Sequence, residues 1–161
     1  MIELNKKTQQ DFLNREWVQK LMDAGIDMSD AKYCIGRTFR GDYVAYKAGA
    51  YNETLQDIIP TYTVSELLYK LNEWPSLEIE VNGEKKIIGT PLEIIKDAPF
   101  YFACYHFSTS CVSGKEVYPE YKKYDIECES EYPIEALAQL LIASAKSNFL
   151  NFKYSKDISD K

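Results

Sequence analysis

The sequence predicts an α+β domain, a mostly antiparallel sheet with about three helices packed against it. Three observations carry that class. Thr63-Val64-Ser65-Glu66 is a capping box that opens a helix. Asn82-Gly83 stands between two short apolar runs as a tight hairpin turn. From Pro133 to Asn148 the chain reads as a helix whose clearly polar positions are Glu135, Gln139 and Lys146. With 45% apolar and 27% charged residues, the 161-residue chain has the composition of one globular domain that buries roughly 70% of its unfolded surface. No repeat, low-complexity tract or Pro/Gly/Ser linker divides it, which places a single domain over residues 1–152 and a short polar tail over 153–161.

The elements follow in order. Leu13, Trp17, Val18, Leu21 and Met22 recur at helical spacing, and Gly25-Ile26 reads as a left-handed cap with its apolar contact. Tyr33 to Thr38 and Tyr43 to Ala48 read as strands joined around Arg40-Gly41-Asp42. After the capping box, with Tyr62 and Leu67 at its staple positions, Val64, Leu67, Leu68 and Leu71 line one helix face until Trp74-Pro75. Leu77, Ile79 and Val81 then alternate with Glu78 and Glu80, and Lys86-Ile87-Ile88 returns beyond the turn. Phe100 to Phe107 is apolar on both faces and predicts a central strand covered on both sides. Tyr121 to Cys128 predicts a further strand. The closing helix is apolar around most of its circumference, so it must be buried on most sides, within the monomer or across a homodimer.

Charge and cysteine usage narrow the setting. Met1 to Lys7 lacks the apolar core of a signal peptide, and no apolar run approaches the roughly 18 residues of a membrane span, so a cytoplasmic protein with no membrane contact is expected. Cys34, Cys104, Cys111 and Cys128 form no Cys-x-x-Cys pair and are read as free thiols, mostly buried. The net charge is -6, and Asp125, Glu127, Glu129, Glu131 and Glu135 lie in one stretch without a base. That distribution argues against direct nucleic-acid binding, which needs a basic field.

The machinery of common enzymes is missing. His106 is the one histidine; it shares a strand face with Cys104, and Cys111 could join them around a metal. A nucleophile there would need an oxyanion hole and an orienting third group, and a structural zinc site a close chelating pair among four ligands. The favoured reading is therefore a strand thiol and a hydrogen-bonded core histidine, with no catalytic residues, metal or cofactor. Ser113-Gly114-Lys115 lacks the earlier glycine of a phosphate-binding loop and carries Glu116 where Ser or Thr would bind magnesium, which excludes nucleotide hydrolysis by that motif.

Two features point to binding. Asp125, Glu127, Glu129 and Glu131 recur every second residue, so an extended backbone projects four carboxylates from one face over roughly 20 Å. Such a comb is either a solvated or charge-blunted edge, or a surface for a basic partner protein, with Tyr121 and Tyr124 beside it as rigid contact area. The second is Arg37, Arg40 and Lys47 with Tyr43 in the first hairpin, either snorkelling side chains or a pocket for a small, nucleotide-like anion.

Ile59-Pro60-Thr61-Tyr62-Thr63-Val64-Ser65-Glu66-Leu67-Leu68-Tyr69-Lys70-Leu71, the hairpin after it, and Tyr132-Pro133-Ile134-Glu135-Ala136-Leu137-Ala138-Gln139-Leu140-Leu141 resemble a group of small uncharacterised proteins of bacterial phages and mobile elements. The resemblance spans residues 17–150 in element order, through helix caps and core positions, and brings no catalytic residues with it. It implies a mobile-element accessory protein that binds, and inhibits or modulates, a host component. Together these readings give a non-enzymatic binding protein that uses an acidic, tyrosine-rich surface, with sequestration of a small anion as the alternative.

Overall fold

Residues 2–3, 11–49, 55–109 and 113–150 are described by a computed structural model; Cys111 and the expected tail lie outside them. Helix ends form where their local chemistry dictates. Helix α1 (Arg15–Asp23) starts at Asn14, whose side chain accepts from the Trp17 amide. It stops in a Schellman turn, in which Ile26 N–H donates to Leu21 O, Gly25 N–H donates to Met22 O, and Gly25 takes φ +85°. Val18 and Leu21 are buried, whereas Met22 turns out of the predicted face and is exposed. Helix α2 (Val64–Lys70) has both bonds of the capping box, with Tyr62 and Leu67 fully buried at the staple positions. It ends at Lys70, short of the expected Trp74-Pro75.

The strands form three antiparallel sheets, which together with the helices make an α+β fold. In the first, β1 (Ile2–Glu3), β2 (Tyr33–Arg37), β3 (Tyr43–Lys47) and β4 (Gln56–Thr61) lie in the order β1-β3-β2-β4. The hairpin of β5 (Ser76–Val81) and β6 (Glu84–Gly89) turns at Asn82 and Gly83, both at positive φ, as that dipeptide requires. The third sheet contains β7 (Leu92–Asp97), β8 (Phe100–Tyr105) and β9 (Ile126–Ser130), with β8 in the middle. Strand β8 is central as expected, but Phe100 at its start is exposed, so cover on both sides is confined to Ala103–Tyr105. The expected strand from Tyr121 to Cys128 is corrected. Pro119–Tyr124 is a 3₁₀ helix that starts on a proline, and pairing begins only at Ile126.

Helix α3 (Pro133–Lys146) occupies the middle of the core. It packs on β8 and β9 along one side and on α1 and α2 along others, with Ile134, Leu137, Leu140 and Leu141 fully buried. Most of the apolar circumference that raised the homodimer is thus covered within the chain, with Ile142, Ala143 and Ala145 half-buried. After α3 the chain turns back to β5, where Leu150 N–H donates to Ser76 O and Phe149 packs edge-on against Tyr105.

One charge is buried near this core. Lys70, 3% exposed at its side chain, holds Asp30 at 2.8 Å. The Tyr62 hydroxyl donates to the same carboxylate at 2.9 Å. Burial works to raise the Asp30 pKa, but the bonds from Lys70 and Tyr62 outweigh it and hold the carboxyl below its usual range.

Candidate functional site

Alternation along the third sheet separates two faces. Ala103, Tyr105 and Cys128 point inward and join the main core with α3. Register then assigns the outer face: Glu93 pairs with Cys104 and Cys104 with Glu127, Ile95 with Phe102 and Phe102 with Glu129, and Asp97 with Phe100. Just beyond the ladder, His106 and Asp125 continue the same face. This face therefore carries Glu93, Asp97, Asp125, Glu127 and Glu129, with no lysine or arginine at any paired position. Ile95 and Phe100 are exposed in its midst.

The sheet gathers a mixed cluster at one end of this face. The His106 ring lies between two carboxylates, with Nε2 3.0 Å from Glu127 Oε2 and Nδ1 3.4 Å from Glu93 Oε1. A ligand atom from each of Cys104, His106 and Glu127 lies within 4.8 Å of the others. Cys104 is fully buried, and its burial, followed by the Glu127 and Glu93 charges, pushes the thiol up to about 12. A thiol so placed is protonated at neutral pH and shielded from substrate, unlike a nucleophilic cysteine. A cleft of 310 Å³ borders the cluster, lined by His106, Ser108, Thr109, Glu116, Lys122, Asp125 and Glu127.

The four teeth of the acidic comb have different surroundings. Asp125 is committed to structure, accepting from the Ser108 amide at 2.9 Å and from the Ser108 hydroxyl. Glu127 faces His106. Glu129 and Glu131 are exposed. Tyr121, expected on the contact surface, is a correction: it is buried in the main core, stacked on Tyr118 at 5.2 Å. Tyr124 is half-buried under Lys123, and Tyr118 offers the exposed ring instead.

The basic hairpin does not converge. Arg37 pairs with Tyr43 at one end of the β2–β3 ladder and Lys47 with Tyr33 at the other, while Arg40 lies in the turn against Phe39. Four residue steps separate the ends by roughly 13 Å. Arg37 is also engaged, with its guanidinium 2.9 Å from Asp57 and bonded to Gln56.

The sequence showed Cys104 and His106 on one strand face but not their partners. Glu93 stands on β7, a strand the sequence did not suggest because Leu92 to Asp97 lacks clean alternation. Glu127 was visible only as a tooth of the comb. No helix among the described residues is long and apolar enough to cross a membrane. No protein-family model, curated protein or solved structure matches the chain.

Proposed function

We propose that this chain is a non-enzymatic binding protein of phage or mobile-element type, which inhibits or modulates a host protein by taking its basic surface onto the outer face of β7–β8–β9. The register of that face carries the reading: its carboxylates flank exposed Ile95 and Phe100, and no lysine or arginine stands at a paired position. An apolar centre with a polar rim is the anatomy of a protein interface, and a single-signed rim steers a partner of opposite charge. The buried, protonated Cys104 supports binding over catalysis. A reducing cytoplasm, where Cys34, Cys104 and Cys128 stay free thiols, is the compartment that fits.

Reversing Asp97, Glu129 and Glu131 to Lys should slow association with the captured host protein at least tenfold at low salt and flatten its salt dependence. The variant Arg37→Ala/Arg40→Ala should bind as the parent does. Unchanged association kinetics in the triple reversal, with thermal melts showing both variants folded, would sink the proposal. Loss in the arginine variant alone would favour the small-anion reading, which the separation of Arg37, Arg40 and Lys47 otherwise leaves without support.

A further inference from the structure

We propose that Cys104 Sγ, His106 Nε2 and a Glu127 carboxylate oxygen form a binding site for a divalent transition cation of the zinc class, with Glu93 positioning the imidazole. The donor set is the first reason. One sulfur, one imidazole nitrogen and one carboxylate oxygen suit zinc, whereas calcium and magnesium demand a shell of oxygens.

Geometry is the second. Around a tetrahedral zinc, neighbouring ligand atoms lie about 3.3 to 3.6 Å apart. The three donors here already lie within 4.8 Å of one another, and the His106–Glu127 pair at 3.0 Å needs to open by only a few tenths of an ångström. Cys104 in β8 and Glu127 in β9 are paired across the ladder, and His106 follows directly after β8 with its carbonyl accepting from the Thr90 hydroxyl at 2.8 Å, so the backbone around all three donors is held. His106 and Glu127 also line the cleft, where water can take a fourth position.

The third reason is the environment of the ring. The ring lies between two carboxylates, Glu127 at Nε2 and Glu93 at Nδ1. With a cation between Nε2 and Glu127, the remaining Nδ1–H faces Glu93, the carboxylate–histidine–metal arrangement that fixes ring orientation.

The probes are zinc and cobalt(II) chloride added to the full chain. Cobalt should give a thiolate-to-metal charge-transfer band in the near ultraviolet and the intense visible bands of tetrahedral coordination. Zinc should bind one to one, and calorimetry in buffers of different ionisation enthalpy should register the proton released from Cys104. Cys104→Ser should abolish the charge-transfer band, and Cys104→Ser, His106→Gln and Glu127→Gln should each weaken zinc at least tenfold. Glu93→Gln should weaken it about ten- to a hundredfold while the cobalt spectrum keeps its shape, which separates positioning from ligation. Glu127 is half-exposed, so its variant keeps the test valid should Cys104→Ser fail to fold. Absence of the charge-transfer band in the parent protein, or zinc affinity unchanged in Cys104→Ser or in Glu127→Gln, overturns the site. The partner-binding reading stands or falls separately, because its variants leave these four residues intact.

Discussion

Asp30 shows how a half-exposed residue can control a buried one. Its carboxylate takes bonds from Lys70, an ammonium almost withdrawn from solvent, and from Tyr62 in the core. Asp30→Asn should cost about 1 to 2 kcal/mol at neutral pH, less than a fully buried pair because water screens the Asp30 side. The pKa of Asp30 is depressed in the folded protein, so its contribution is complete above the ordinary aspartate value of about 3.9 and is lost as pH falls through the lower folded value. Urea melts across the acid range should therefore show parent and variant converging below about pH 4. A gap that persists undiminished in acid would mean that the two differ by packing rather than charge. At this scale the sequence was a partial guide. Cys104 and His106 could be paired by strand alternation, but Glu93 and Glu127 reach them through inter-strand register, which no local pattern records. Tyr121 misled because the sequence of an amphipathic ring does not say which end of it faces water.

At the scale of the element, what was legible is what is local. A capping box, a Schellman turn and an Asn-Gly hairpin each satisfy their own hydrogen bonds within a few residues, so the sequence around Thr63, Gly25 and Asn82 marks them without reference to the rest of the fold. Strand β4 went unseen because its partner β2 is distant in sequence and it carries Pro60 as an edge strand can, and β7, although it turns directly into β8, went unseen because Leu92 to Asp97 does not alternate. The 3₁₀ helix at Pro119–Tyr124 was hidden by tyrosines that suit a strand equally well. Thr63→Ala should lower stability by about 1 kcal/mol, since it removes the acceptor for the Glu66 amide. Gly25→Ala should cost about the same for a different reason. Its Cβ would meet nothing within 4 Å, so the penalty is the left-handed backbone alone. Each change should shift the melting temperature by about 2 to 4 °C. A neutral Gly25→Ala would show that the turn can unwind freely, and that the cap is an outcome of the helix rather than its stop signal.

Across the whole molecule, the class and helix number were legible, whereas the division into three sheets and the covering of α3 were not. Its circumference could be read from Ile134 to Ala145, but whether α1, α2 or a second chain met it depended on tertiary arrangement. That arrangement bears on how the protein is made. Helix α3 lies after every element that packs around it, so a growing chain must display β8, β9, α1 and α2 with their apolar faces open until Pro133–Lys146 leaves the ribosome. Nascent chains stalled before α3 emerges should be digested rapidly by added protease, whereas those stalled after it should resist. Early resistance would mean that the sheets close on one another first and admit the helix later. Until then the unfinished chain is an aggregation-prone client for chaperones, and the rate of its own translation becomes one of the determinants of its yield.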